Sequence, residues 1–208
     1  MKTSSVSDLP PEAFAKADPS PDPDFYALPR LVTHIDNAAI AALTDFYRQT
    51  LPAGGAVLDL MSSWVSHYPP EVGFKEVIGH GLNADELRAN PRLDRWWVQD
   101  LNTEPVLPLP KGELDAATIC VSVQYLQRPI EVLASLRRAM RPGSPVVISF
   151  SNRCFPSKAV AIWGALDEAG HAGLVRHYLD RAGWSEIVAY RLADGRTGDP
   201  LVAVVGRA

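Results

Sequence analysis

What this sequence lacks narrows its class before anything in it is read. It has only two cysteines, Cys120 and Cys154, too far apart for a chelating pair and too few for a disulfide framework. A reducing cytoplasm is the expected compartment, and no metal site is expected. No run approaches the roughly 18 apolar residues of a membrane span. The opening Met1-Lys2-Thr3-Ser4-Ser5-Val6-Ser7 has no signal-peptide core behind it, so no membrane partner is expected. The net charge of −4 exerts no global pull toward nucleic acid, so no nucleic-acid partner is expected either. Glycine is missing where a dinucleotide enzyme needs it: no Gly-x-Gly-x-x-Gly follows any strand candidate, which argues against a nicotinamide cofactor. No internal repeat is visible.

What remains is an ordinary globular balance, 47% apolar and 21% charged over 208 residues, enough for one domain with a sizeable core. Residues 1–24 are rich in Pro, Ser, Asp and Ala and end in Asp18-Pro19-Ser20-Pro21-Asp22-Pro23-Asp24, which reads as a flexible tail. Residues 25–52 follow as a helical segment. From His34 to Thr50, Ile35, Ala38, Ala39, Ala42, Leu43 and Phe46 recur on one face. That helix either packs on the sheet or belongs to a lid, because Tyr26, Arg30, His34 and Asp36 crowd polar groups into its approach. Residues 53–208 form the main domain.

Within that domain, Gly55-Ala56-Val57-Leu58-Asp59 is a short apolar run bounded by turn signals, the pattern of a strand buried on both faces. Asp59 would stand at its carboxyl end, where open α/β sheets bind ligands. Pro69-Pro70 limits any helix after it to a short one. Lys75–Gly81 and Trp96–Asp100 read as strands two and three, and Asn83 caps a helix between them. Leu114–Val123 is the clearest buried strand. Pro129 opens a helix closed by Arg141-Pro142-Gly143, and Pro145–Phe150 is strand five. Helical stretches near Ser157–Leu166 and His171–Ala182 precede two final strands, Ser185–Leu192 and Leu201–Val205. Alternating strands and helices predict a three-layer α/β sandwich with a mostly parallel seven-stranded sheet and an antiparallel edge strand.

The run from Leu114-Asp115 through Val121-Ser122-Val123-Gln124-Tyr125 to Met140-Arg141-Pro142-Gly143-Ser144 resembles the small-molecule branch of class I, Rossmann-like S-adenosylmethionine-dependent methyltransferases. There a strand opening Phe-Asp is followed by a helix closing Leu-Arg-Pro-Gly-Gly. The likeness spans roughly residues 50–155. It implies S-adenosylmethionine as cofactor and methyl transfer to a small molecule. By the resemblance, Asp59 is the acid ending the first strand, and Met61, Ser62 and Ser63 form the turn that receives the methionine moiety. The family has glycines in that turn, so the motif is degenerate here. Gly81 falls where the family places a ribose-binding acid, with Asn83 or His80 as substitutes. Asp100 matches the adenine-binding acid, with Leu101 against the ring, although Asp100 also suits a turn. Ser122 completes the cofactor set.

The Asp/Asn-Pro-Pro-Tyr/Phe motif of amino-group methylases is absent at Ser122–Tyr125. Substrate contacts are expected from Tyr26, Arg30, Gln124, Asn152 and Arg153. His34, His67 and Tyr125 are the candidate general bases, each open to a structural reading. A non-catalytic descendant that binds a ligand or scaffolds a partner is the alternative, and the oligomeric state, monomer or homodimer, stays open.

Overall fold

Every residue of the organising strand, β1 (Ala56–Asp59), is buried, and the molecule is laid out around it. The computed structural model describes residues 9–208. On one side β1 pairs in parallel with β2 (Glu76–Gly81), which pairs in parallel with β3 (Arg95–Val98). On the other side it pairs in parallel with β4 (Ala116–Cys120), itself parallel to β5 (Pro145–Phe150). The last strands, β6 (Ser185–Ala193) and β7 (Leu201–Arg207), form an antiparallel pair. β7 inserts between β5 and β6 to give the order β3-β2-β1-β4-β5-β7-β6. This is the seven-stranded, mostly parallel α/β sheet expected from the sequence, with its antiparallel pair at one edge.

Alternating strand residues feed two cores, as the period of two requires. Leu58, Ile78, Ile119, Ile148 and Val204 face α4 (Pro129–Ala139) and α6 (Glu168–Arg181), whose Leu133, Leu136, Val175 and Leu179 close that layer. Val57, Val77, Ala116, Val147 and Ala203 face α2 (Asn37–Thr50) through Ala39, Leu43 and Tyr47. The α2 helix therefore packs on the sheet. It starts at Asn37 rather than His34 because the Asp36 side chain accepts from Ala39 N–H and so caps it. The expected helix near Ser157–Leu166 shrinks to the single turn α5 (Ala161–Gly164).

Parallel neighbours are usually joined through a helix. Between β2 and β3 that helix is the short α3 (Ala84–Ala89). The β1–β2 link, residues 60–75, has none. Pro69 and Pro70 deny it the backbone donors a helix needs, and Tyr68 and Phe74 fill the space on the α2 face instead.

The tail reading needs correction for residues 9–24; its first eight residues lie outside the described residues. Phe14, on a 3₁₀ turn at Pro11–Phe14, enters the core against Tyr178 with ring centroids 6.1 Å apart. Lys16 bridges to Val160, and the short helix α1 (Asp22–Phe25) buries Asp22. Asp22 accepts an ion pair from Lys16 at 2.5 Å and lies 3.6 Å from the Nζ of Lys158. Lys158 is 0% exposed and also meets Asp18 at 3.1 Å and the carbonyl of Ser20 at 2.7 Å. Composition alone could not reveal this strap, because its apolar content is low and its anchor is a lysine more than a hundred residues away. Removing one partner of a buried ion pair leaves an uncompensated charge. Lys158→Ala is therefore expected to destabilise the protein by about 3 kcal/mol, read as a lower urea midpoint. A loss below about 0.5 kcal/mol would mean the strap contributes nothing to the fold.

Candidate active site

The carboxyl ends of β1 to β5 open into one cavity of about 470 Å³, roofed by the segment from Tyr26 to His34. Its position is the one open α/β sheets give to ligands. Asp59, at the end of β1, is buried. Its Oδ2 accepts from Ser62 Oγ at 2.6 Å and Ser66 Oγ at 2.5 Å, and its Oδ1 accepts from Thr118 Oγ1 at 3.2 Å. Thr118 lies opposite Asp59 in the β1–β4 register. Burial pushes the Asp59 carboxyl above the usual carboxylate range, and the three hydroxyl donors oppose that rise.

The turn after Asp59 keeps a left-handed residue without a glycine: Met61 has φ +60°. At the end of β4, Val121 has φ +43°, a conformation β-branched residues avoid and one that concentrates at functional sites. Both residues line the cavity. His80 holds the Met61 turn in place. Its Nδ1 accepts from the Met61 N–H at 3.2 Å, so the proton sits on Nε2, which donates to the Gln99 carbonyl at 2.9 Å. Burial drives its pKa down to about 4, so the ring is neutral.

Around the end of β2 the expected cofactor contacts must be revised. A Cβ on Gly81 would lie 2.6 Å from the Ser62 carbonyl oxygen, so no acidic side chain fits there. Asn83 lines the cavity, but its amide is consumed. Its Oδ1 accepts from Asp85 and Glu86 N–H, and its Nδ2 donates to the carbonyls of Tyr26 and Ala27. His80 is equally committed. The carboxylate the sequence reading missed is Glu86, buried on the cavity wall, accepting from Arg30 N–H and Ser63 Oγ at 2.6 Å each. As an acid in the first turn of α3 it had an ordinary explanation in the helix dipole, and nothing local marked it out.

Asp100 lines the cavity and also makes the turn that was its competing reading, accepting from Asn102 N–H at 2.9 Å. Leu101 is buried beside it. Ser122 lines the wall after β4, and its buried Oγ has no hydrogen-bond partner.

The other half of the cavity gathers Tyr26, Arg30, His34, His67, Tyr125, Asn152, Arg153, Cys154 and Phe155. One expected substrate residue is excluded. Gln124 is 1% exposed and turned away, because the 3₁₀ turn Val123–Tyr125 that puts Ser122 and Tyr125 at the cavity rotates it inward. It braces the strained Val121 instead, donating to its carbonyl at 2.8 Å. Arg153 sits at the rim, 63% exposed and paired with Asp199 at 3.0 Å. Tyr125 is a poor base, since its hydroxyl accepts from Phe155 N–H at 2.9 Å and burial pushes its pKa up to about 12.

Neither the His34 nor the His67 ring has a hydrogen-bond partner among the described residues. His34 stands edge-on to Phe155, centroids 5.5 Å apart. Burial lowers both pKa values, and for His67 the charge of His34 lowers it further. That direction favours the unprotonated ring, the form a general base needs. Neither cysteine is activated: burial pushes Cys120 to about 12 and raises Cys154 as well. Among the described residues no group of three or more His, Cys, Asp or Glu could hold a metal ion, and no helix is long and apolar enough to cross a membrane.

No family model and no curated protein matches the sequence. Solved structures do match. An S-adenosylmethionine-dependent methyltransferase from Mesorhizobium loti is 18% identical with a TM-score of 0.59, covering 81% of this chain and 98% of its own. A SAM-dependent methyltransferase from Archaeoglobus fulgidus is 14% identical with a TM-score of 0.61, covering 81% and 93%. The [4+2]-cyclase SpnF is 13% identical with a TM-score of 0.59, covering 79% and 80%. At these identities the likeness is one of architecture, and it agrees with the strand order and the position of the cavity. The chain has the Rossmann-like fold of class I S-adenosylmethionine-dependent methyltransferases.

Proposed function

We propose that this protein binds S-adenosylmethionine in the cavity and transfers its methyl group to a small molecule in the cytoplasm. The observation that carries the reading is a charge pattern. Asp59, Glu86 and Asp100 line one side of the cavity, and none of them has a cationic side chain as partner among the described residues. A wall with three carboxylates that lack a cationic partner, two of them buried, favours a cationic ligand, and a sulfonium that also carries an ammonium group is one.

The residues fit that cofactor along its length. Asp100 and Leu101 suit the adenine, Glu86 the ribose hydroxyls, and Asp59, Met61, Ser62 and Ser63 the amino-acid end, with the unpartnered Ser122 Oγ beside them. The cofactor would supply an electrophilic methyl group. The chain's own part is to hold the acceptor in line with it, which accounts for much of the rate of such displacements, and to take the acceptor's proton on His34 or His67.

A second reading is favoured by the helix-free β1–β2 link and by Met61 in place of a glycine. On that reading the fold retains a ligand but transfers no methyl group. SpnF, a [4+2]-cyclase, illustrates that this architecture is not confined to one chemistry.

Incubation with methyl-labelled S-adenosylmethionine and a panel of small hydroxyl and amine acceptors separates the readings. Transfer above the blank is expected. His34→Gln or His67→Gln, whichever removes the base, is expected to lower the rate by about 10²–10⁴ with cofactor affinity unchanged. Undiminished transfer in both variants would remove the two histidines from the chemistry.

A further inference from the structure

Beside the acidic wall of the cavity stands a cation that also lacks an ion-pair partner among the described residues. Arg30 projects from the roof into a cluster of aromatic rings. Its guanidinium carbon lies 4.5 Å from the centroid of Phe25, 5.5 Å from Tyr26 and 5.4 Å from Phe155. Its Nη2 donates to the Phe25 carbonyl at 2.9 Å, while Nη1 is buried with no partner. No carboxylate neutralises it among the described residues; Glu86 takes only its backbone N–H. Arg153 differs, since it is mostly exposed and already paired with Asp199.

A guanidinium partly withdrawn from water, with one nitrogen buried and no ion-pair partner, carries a cost that facing aromatic rings offset only in part. Such a group is complete when a ligand brings an anion to it, and a guanidinium matches a carboxylate geometrically. The aromatic cluster is not vacant for a cation, because Arg30 is the cation it holds. Beside Arg30, Tyr125 and Phe155 both line the cavity with their rings within 30° of parallel, centroids 6.1 Å apart. Both rings border the space that a ligand would occupy.

We infer that the acceptor is a planar carboxylate, its anion held by Arg30 and its flat body laid against Tyr125 and Phe155. This rests on the methyl-transfer reading for calling the ligand an acceptor, but the site itself stands on Arg30 and the rings.

The test uses the full-length protein and calorimetric titration with 4-hydroxybenzoate, its carboxamide 4-hydroxybenzamide, and hexanoate, each with and without S-adenosylhomocysteine. The benzoate is expected to bind at least tenfold more tightly than the amide and than hexanoate. Arg30→Gln is expected to erase the acid-over-amide preference. The wild-type comparison needs no variant, so it survives if Arg30→Gln does not fold. No benzoate binding, equal affinity for acid and amide, equal affinity for hexanoate, or a preference unchanged in a folded Arg30→Gln protein overturns the inference. Failure of the cofactor reading is distinguishable: acid preference without any binding of S-adenosylhomocysteine keeps the carboxylate site and removes that cofactor. Binding of S-adenosylhomocysteine without acid preference does the reverse.

Discussion

Asp59→Ala is expected to cost about 2–4 kcal/mol of stability and to abolish cofactor binding, whereas Asp59→Asn is expected to fold and bind at least tenfold more weakly. The first estimate follows from the hydroxyls around the carboxylate. Ser62, Ser66 and Thr118 all donate to it, and a hydrogen bond to a charged group is worth about 1.5–3 kcal/mol. The total is well below their sum, because the buried carboxylate is itself desolvated and because the hydroxyls keep other partners, Ser62 Oγ donating to the Ser63 carbonyl at 3.4 Å. Thr118 stays 2.7 Å from the Tyr68 hydroxyl, and Ser66 still accepts from Asn90 Nδ2 at 3.0 Å. Asparagine preserves shape and one acceptor oxygen, and rotated serine hydroxyls can accept from its amide. What it removes is the charge, so the Asn variant separates recognition of a cationic ligand from simple support of the turn. Equal affinity in wild type and a folded Asp59→Asn protein would take Asp59 out of the binding site.

Acidification supplies the second large effect. His80 is buried neutral, with its pKa lowered from 6.5 to about 4. A base whose folded-state pKa is depressed contributes stability above its unfolded pKa and loses it as the pH falls toward the folded value. For a shift of this size the loss between pH 6.5 and 4 is about 3 kcal/mol. His34 and His67 shift in the same direction and steepen the fall. Asp59 acts with the opposite sign, from about 3.8 upward. Its raised pKa makes its contribution greatest below about 3.8, and that contribution disappears as the pH climbs through the folded value. Urea midpoints at pH 7.5, 5.5 and 4.5 are therefore expected to fall steeply in the wild type and more gently in His80→Gln. The variant should start lower at pH 7.5, because glutamine lacks the rigid ring that packs against Trp97 with centroids 5.1 Å apart and fixes both hydrogen bonds at once. Parallel pH profiles for the two proteins would show that His80 carries none of the acid lability.

Much of the sheet was legible because its strands are short apolar runs punctuated by turn residues. The run ending at Asp59, the run through Ile119 and the run from Pro145 to Phe150 all became buried strands. Pro129 marked the start of α4, and Pro69-Pro70 limited any helix in the β1–β2 link to a short one, where the structure has none.

The features that stayed hidden depend on partners distant in sequence. Lys158 reads as a surface lysine until Asp18 and Asp22 of the strap close over it. Glu86 reads as a helix-dipole acid until the roof brings Arg30 N–H to it, 56 residues away. Most of the expected cavity residues do meet at one site, since strand ends and the turns after them converge by topology. Gln124 does not, because a single 3₁₀ turn decides which of Ser122 to Tyr125 face the cavity, and no periodicity announces that turn. The left-handed Met61 was equally unreadable. Its conformation is stabilised by His80 from the neighbouring strand rather than by any property of methionine.

Calorimetric titration with S-adenosylmethionine, S-adenosylhomocysteine and NAD tests the central claim most directly. A cavity lined by the unpaired carboxylates of Asp59, Glu86 and Asp100 predicts micromolar binding of S-adenosylmethionine. It also predicts weaker binding of the thioether product, which lacks the sulfonium charge, and none of NAD. Failure of both sulfur nucleotides to bind, or binding of NAD in their place, would contradict it.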